Sequence, residues 1–482
     1  MPVFNETPLP QQEKKKEQFE SPRAKEVEEL LSLATSHLIP WIASADDKNG
    51  ALVVDALPPK KLESVLNLGL PDGAGKGKEG LEEAMKKVLR YSVNTWRDGF
   101  MDKLYASTDP VGIASDLLLS VLNTNKFARL FGFDGPHAGG ITLPGGSASN
   151  STSMIIAKNT LFPETKIHGN GDKKFVVFSS IHGHYSVEKA AILLGLGSGA
   201  VWEVPVDKQG RMIAADLESM VIDAKEKGFT PFYVNAGAGT TVFGSYDPFD
   251  EIAEICKRHG MWFHIDGSWG GAVVFSESQK WRMSGAHKAN SLTVNPHKML
   301  GVPVTCSFLL APDRRQFHRA VSLKAGYLFH EQDDDEEEDV YDMAQMTMGC
   351  GRRADSLKMA LSWIYYGKEG YERRIDHAFD MAKYFATTIE NTSGFHLVSE
   401  NPPPCLQVCF YYTGPSNKLS DNAKFNTEAT RRIAAQLVAK GYMVDYSPHP
   451  THGEFFRAVV SSRTTKDTVD NLVAAIEKLG NI

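Results

Sequence analysis

Apolar positions follow two different periods along this chain. Before residue 100 they recur with a helical spacing. Ala24, Val27, Leu30, Leu31 and Leu33 predict a helix over 24–38, closed by Pro40. Residues 80–94 predict a second amphipathic helix, after the flexible run Asp72-Gly73-Ala74-Gly75-Lys76-Gly77. Neither stretch can bury a core alone. From about 140 to 311 the period changes. Short apolar runs at 174–178, 200–206, 231–235, 262–266, 291–295 and 305–311 alternate with helical patterns such as 186–194 and 248–258. That alternation predicts a mostly parallel sheet covered by helices. Ligands on such sheets sit at the carboxyl ends of the strands. A long helical region begins near 355. Beyond it, strands at 406–412, 443–446 and 454–461 and helices at 427–440 and 466–479 predict a small α+β domain. The division read from this pattern is an N-terminal helical segment with a tail (1–90), a large domain (91–360) and a small C-terminal domain (361–482). No internal repeat interrupts it.

Composition narrows the class. The 482 residues are too many for one compact domain, and 42% hydrophobic with 23% charged residues suffices for ordinary cores. A formal charge of -7 gives no basic surface for nucleic acid or an anionic membrane. No apolar run reaches a bilayer span. The first 20 residues are polar, carry Lys14-Lys15-Lys16 and lack an apolar stretch, so a disordered tail is expected rather than a secretory signal. The cysteines (Cys256, Cys306, Cys350, Cys405, Cys409) are odd in number and have no CxxC spacing. They read as reduced thiols of a cytoplasmic protein rather than a disulfide or zinc framework. The acidic run 331–339 reads as a mobile exposed loop, because like charges this dense repel, and it lacks calcium-loop spacing.

Four short stretches carry chemistry. Asn295-Pro296-His297-Lys298 directly follows an apolar run. A lysine held in a cleft there loses its proton more readily and becomes an amine nucleophile for Schiff-base chemistry. Taken alone, a lysine is more often a solvated charge. Phe263-His264-Ile265-Asp266, followed by Gly267-Ser268-Trp269-Gly270-Gly271, puts a carboxylate at the end of a buried strand. It is either the partner of a buried cation or a common turn aspartate. Pro144-Gly145-Gly146-Ser147-Ala148-Ser149-Asn150 enters a helical stretch, where free N–H groups and hydroxyls cradle phosphate. On its own it is as well read as a turn. His182-Gly183-His184-Tyr185-Ser186 offers a histidine to stack on an aromatic ring. Zinc ligation is disfavoured, because no third ligand is spaced nearby.

In this order the motifs resemble the group II pyridoxal-phosphate decarboxylases, the family of glutamate, cysteine-sulfinate and acidic amino acid decarboxylases. The resemblance also rests on Gly239-Thr240-Thr241, Gly326-Tyr327-Leu328-Phe329, Cys350-Gly351-Arg352-Arg353 and Phe455-Phe456-Arg457, and runs from about 80 to 480. It implies the aspartate aminotransferase-like fold, fold type I, with pyridoxal 5'-phosphate as cofactor and no metal. It implies that Lys298 carries the cofactor, Asp266 pairs with the ring nitrogen and His184 stacks on the ring. Ser147, Ala148, Ser149, Ser268, Asn295 and His297 are the further cofactor-binding positions. Arg457 is implied for the substrate α-carboxylate, and a homodimer with sites at its interface is implied as the assembly. The expected reaction is decarboxylation of aspartate, glutamate or cysteine sulfinate.

Departures from the family pattern matter. Gly237, Gly267 and Gly349 replace Thr, Ala and Gln, which predicts a roomier pocket. The segment after Asn123 is short. The family's proton-donating tyrosine precedes an Asp-Val pair, whereas here the nearest to Asp339-Val340 is Tyr341. Failure of Tyr341 in that role predicts aldehyde-forming side reactions, so the alternatives are a diverged enzyme that couples decarboxylation to deamination or C–C bond formation, and a non-catalytic dimeric paralogue. Lys103, where the family carries Gln, is either a binding group for a side-chain carboxylate or sulfinate, or a solvated lysine.

Overall fold

The computed structural model describes residues 22–47, 52–66, 77–101, 108–113, 128–323, 343–349, 353 and 355–481. Lys103, Tyr341 and the acidic run 331–339 lie outside the described residues.

The chain forms two compact units, 1–94 and 95–482. The first carries α1 (Pro22–Ala43), α2 (Pro59–Leu66) and α3 (Gly77–Tyr91). The expected stop at Pro40 does not occur, and α1 runs through it to Ala43. Proline's fixed φ is itself helical, so the last turn continues with the loss of one N–H bond.

The second unit holds two sheets. Seven strands build the larger: β2 (Gly139–Leu143), β3 (Phe175–Ser180), β4 (Val201–Val204), β5 (Thr230–Gly237), β6 (Trp262–Gly267), β7 (Ser291–Val294) and β8 (Ser307–Ala311). Their order is β2-β8-β7-β6-β5-β3-β4. All neighbours are parallel except the two pairs that β8 makes. Helices α4 (Gly146–Leu161), α5 (Thr165–His168), α6 (Ser186–Leu193), α7 (Ala214–Glu226), α8 (Phe249–His259) and α9 (Arg315–Val321) accompany it. Strands β3 and β7 are buried along their whole length, which is why they read as unbroken runs. β2 was hidden by its glycines. Gly140 packs so closely that a Cβ there would lie 2.3 Å from the Leu309 carbonyl oxygen.

The smaller sheet has the order β1-β11-β12-β10-β9, formed by β1 (Phe100–Met101), β9 (Phe395–Leu397), β10 (Gln407–Tyr412), β11 (Met443–His449) and β12 (Gly453–Val459). Its strands β9 to β12 follow α10 (Ser356–Asn391), which breaks at Gly367 where φ is 65°. Helices α11 (Ala423–Val438) and α12 (Lys466–Gly480) complete this part. Asn422 and Thr465 cap them by accepting backbone N–H bonds.

Side chains alternate across each strand, so three adjacent strands present Tyr233-Asn235-Gly237, Trp262-His264-Asp266 and Ser291-Thr293 in register on one face. Helix α4 packs on that face with Asn150 and Ser153. Strand β3 is followed by β4 on one side and by β5 on the other, which makes β3/β5 the point where the strand order reverses. Cys256, Cys306, Cys405 and Cys409 are free and buried. Among the described residues, no helix is long and apolar enough to cross a membrane.

Candidate active site

A cavity of about 240 Å³ opens at the carboxyl ends of β3, β5, β6 and β7. It lies at the reversal of strand order, where an open α/β sheet places its ligand. Lys298, Asp266 and His184 all line it.

Lys298 is delivered by a tight turn after β7, in which its N–H donates to the Asn295 carbonyl at 2.9 Å. Burial holds its ammonium below the ordinary lysine range, against the attraction of Asp266. The amine is therefore easier to deprotonate than a surface lysine. Asp266 ends β6. Burial alone raises a carboxyl, but the Ser268 N–H at 3.0 Å and the Asn150 amide at 2.7 Å, with the charges of Lys298 and His184, outweigh it and hold Asp266 below its usual value. Asp266 is thus kept ionised, yet it has no ion-pair partner within the described residues. His184 opens the turn into α6. Its Nδ1 accepts from the Ser186 N–H at 3.2 Å, and burial pushes its pKa down.

Another stretch of the cavity wall forms a cradle. Gly145 has φ 110° and precedes the first turn of α4. A Cβ on Gly146 would lie 2.4 Å from the Ser268 hydroxyl, so only glycine fits against this wall. The Ser268 hydroxyl is buried and has no hydrogen-bond partner. The partners of Asn295 orient its amide, whose oxygen accepts from the Gly146 N–H at 3.2 Å. His297 packs its Nδ1 against the Cys306 backbone, and burial lowers its pKa to about 4. The start of a helix and an unpartnered hydroxyl suit a phosphate. An ionised carboxylate without a direct salt bridge suits a protonated ring nitrogen. A pyridoxal phosphate therefore fits the residues present. Ser147, Ser268, Asn295 and His297 would hold its phosphate, and Asp266, His184 and Lys298 would serve its ring.

Three expected site residues are not in the cavity wall. Ser149 turns beneath the loop, with its hydroxyl 2.8 Å from that of Ser307. Ala148 is also absent from the wall. Arg457 is buried directly opposite Asp445 in the β11–β12 ladder, and the two pair across it. Its Nη1 donates to the Thr241 carbonyl at 3.0 Å, so Thr241, which does line the cavity, stands between. The wall also includes Asn150, His182, Asn235, Thr240, Thr241 and Trp269, whose individual roles the motifs do not specify. For Asn235 the available signal was a polar residue inside an otherwise apolar strand.

The expectation of a roomier pocket does not hold at Gly267. A Cβ on Gly267 would meet the Thr293 carbonyl oxygen at 2.9 Å, so this glycine serves close backbone packing. Gly349 faces open space. Gly237 does line the cavity, and a Cβ there would meet the Thr240 methyl at 3.0 Å.

Acid is expected to destabilise the cofactor-free protein. Burial lowers both His264 and His297 to about 4, from an ordinary 6.5. Between those values the unfolded chain binds protons that the folded chain refuses, so stability falls as pH drops from 6.5 to 4. Asp247 acts in the opposite sense. Burial raises it to about 6, against hydrogen bonds from the Met212 and Gly237 N–H groups, so it adds stability as pH falls below 6. Two histidines against one aspartate leave a net loss of roughly 3 kcal/mol. Urea denaturation midpoints at pH 6.5 and pH 4 measure it.

Comparisons with known proteins agree with this geometry. The pyridoxal-dependent decarboxylase conserved domain matches residues 128–413. The chain is 47% identical to an L-aspartate decarboxylase of Metarhizium robertsii, over 95% of its own length and 97% of that protein's. It is 35% identical to a glutamate decarboxylase-like protein of Gibberella zeae, over 95% and 98%. The crystal structure of mouse CSAD superposes with a TM-score of 0.86 at 32% identity, covering 96% of this chain and 99% of that one. The Oryza sativa TDC structure with PLP and tryptamine, at 20% identity, shares the fold with a TM-score of 0.85 over 96% and 99%.

Proposed function

This chain belongs to the pyridoxal-dependent decarboxylase family, and from that membership we propose that it removes the α-carboxyl of L-aspartate, yielding β-alanine and carbon dioxide. Its architecture is the aspartate aminotransferase-like, fold type I arrangement, its cofactor is pyridoxal 5'-phosphate, and its reaction class is amino acid decarboxylation. The choice of aspartate is supported by the relative that shares nearly half its residues.

One observation carries the reading. Asp266 is kept ionised at the cavity wall with no direct salt bridge among the described residues, in the same cavity as the buried amine of Lys298. When bound, pyridoxal phosphate supplies the sink for the electron pair left behind by the departing carboxylate. The Asp266 carboxylate would stabilise positive charge at the ring nitrogen. Lys298 Nζ would be the amine that holds the cofactor and gives way to the substrate's amine. His184 would cover the ring and keep water off it. Either Lys298 Nζ or Tyr341 returns a proton to the α-carbon. Arg457, behind Thr241, is the candidate for the α-carboxylate on the strength of its motif, and Lys103 is the candidate for the side-chain carboxylate.

A homodimer with sites at its interface belongs to this proposal. Ile181, Tyr185, Ile192 and Leu193 are exposed along and just before α6, and Tyr185 also lines the cavity. Apolar surface continuous with a site supports a partner there. A cytoplasmic location is supported by the four buried free thiols.

The test is product analysis with each acid. Aspartate should give β-alanine and carbon dioxide one to one. Its kcat/KM should exceed that of glutamate by at least about tenfold, the discrimination that one methylene allows. Preference for glutamate or cysteine sulfinate would overturn the substrate, and aldehyde with ammonia would overturn simple decarboxylation.

A further inference from the structure

Beneath Asp266, on the α4 face of the sheet, lies a fully buried set of polar groups. The Asn150 amide nitrogen donates to Asp266 Oδ2 at 2.7 Å and to the Ser186 hydroxyl at 2.9 Å. A carboxylate only accepts, so this orientation of the amide is forced. Asn150 Oδ1 therefore faces His264 Nε2, 3.1 Å away. Two acceptors cannot face each other, so His264 Nε2 carries the proton. His264 Nδ1 is then the acceptor, 2.8 Å from the Ser291 hydroxyl and 3.0 Å from that of Ser153. The Ser291 hydroxyl in turn receives the Trp262 indole N–H at 2.8 Å. The Tyr233 ring stacks on His264 at 5.8 Å between centroids.

We infer that Asn150 and His264 are positioning residues, a donor relay that orients and charges Asp266 for the cofactor ring nitrogen. The inference rests on the decarboxylase reading of this cavity. Every proton in the line Trp262, Ser291, His264, Asn150 points toward the Asp266 carboxylate. Asn150 serves a second element with the same nitrogen. Through Ser186 it holds the turn that carries His184, whose Nδ1 accepts from the Ser186 N–H. One side chain thus links the group at the ring nitrogen to the group over the ring face. His264 locks that side chain by occupying its oxygen. Burial lowers His264 to about 4, which keeps the ring neutral with a single proton, as the relay requires.

The test compares two ligands on cofactor-free protein: pyridoxal phosphate, and its analogue with CH in place of the ring nitrogen. Fluorescence titration reads the affinity of each. His264→Phe keeps the ring and its stack on Tyr233 but leaves Asn150 Oδ1 without a donor. It should weaken pyridoxal phosphate about tenfold, the effect of one buried polar group left unsatisfied. The analogue has no ring nitrogen for Asp266 to hold, so it should bind wild type and His264→Phe within about twofold of each other. His264→Gln, which restores an N–H toward Asn150, should recover the affinity. Equal weakening of both ligands, or of neither, would overturn the relay. If His264→Phe does not fold, Asn150→Ser carries the same comparison with the same expected pattern. Wild type that fails to bind pyridoxal phosphate would instead overturn the reading of the cavity itself.

Discussion

Lys298→Ala should lower decarboxylase turnover by at least about 10³-fold and remove the visible absorption band of the covalently held cofactor, while the protein stays folded. The expectation follows from how Lys298 is held. Its turn is fixed by backbone bonds from Lys298 to Asn295 and from Gly301 to Lys298, which alanine keeps. Its ammonium is disfavoured by burial, so its removal takes away an unfavourable charge and little packing. The phosphate cradle at Gly145, Gly146 and Ser268 is untouched, so pyridoxal phosphate should still bind reversibly. Absorption spectroscopy, circular dichroism and a carbon dioxide assay on the variant measure the three parts separately. A variant that keeps both the band and the turnover would assign the amine to another lysine.

Asp266→Asn should cost roughly 10²–10³-fold in kcat with little change in KM, the range found when one preorganised electrostatic group is removed at the reacting centre. Asparagine has the same shape but no charge. Its oxygen can still accept from Asn150, while its nitrogen then faces the Ser268 N–H, so the local hydrogen bonds survive only in part. The loss of charge falls on the ring nitrogen. Steady-state kinetics with aspartate separate kcat from KM. A large rise in KM at unchanged kcat would place Asp266 in substrate binding instead.

Much of this site was legible before the fold was known, for a physical reason. Strands covered on both faces are apolar along their length, so a polar or charged residue at their carboxyl end stands out. His184, Asp266 and Lys298 were found that way, and their order along the chain carried the family resemblance. Position along a helix or across a ladder was less legible. Ser149 sits in the same motif as Ser147, yet the helical turn aims it at Ser307. Arg457 was placed by motif, but its pairing with Asp445 follows from the register of β11 and β12, which a sequence does not print. Asn150 and His264 are far apart in the chain and meet only because α4 lies across β6. β2 was missed because Gly139 and Gly140 break the apolar run.

The central claim is that Lys298 holds pyridoxal phosphate. The most direct measurement is borohydride reduction of the purified holoenzyme, followed by peptide mass mapping. A phosphopyridoxyl mass on the peptide containing Lys298, with loss of the visible band, is the predicted result. The same mass on a different lysine, or on none, would contradict it.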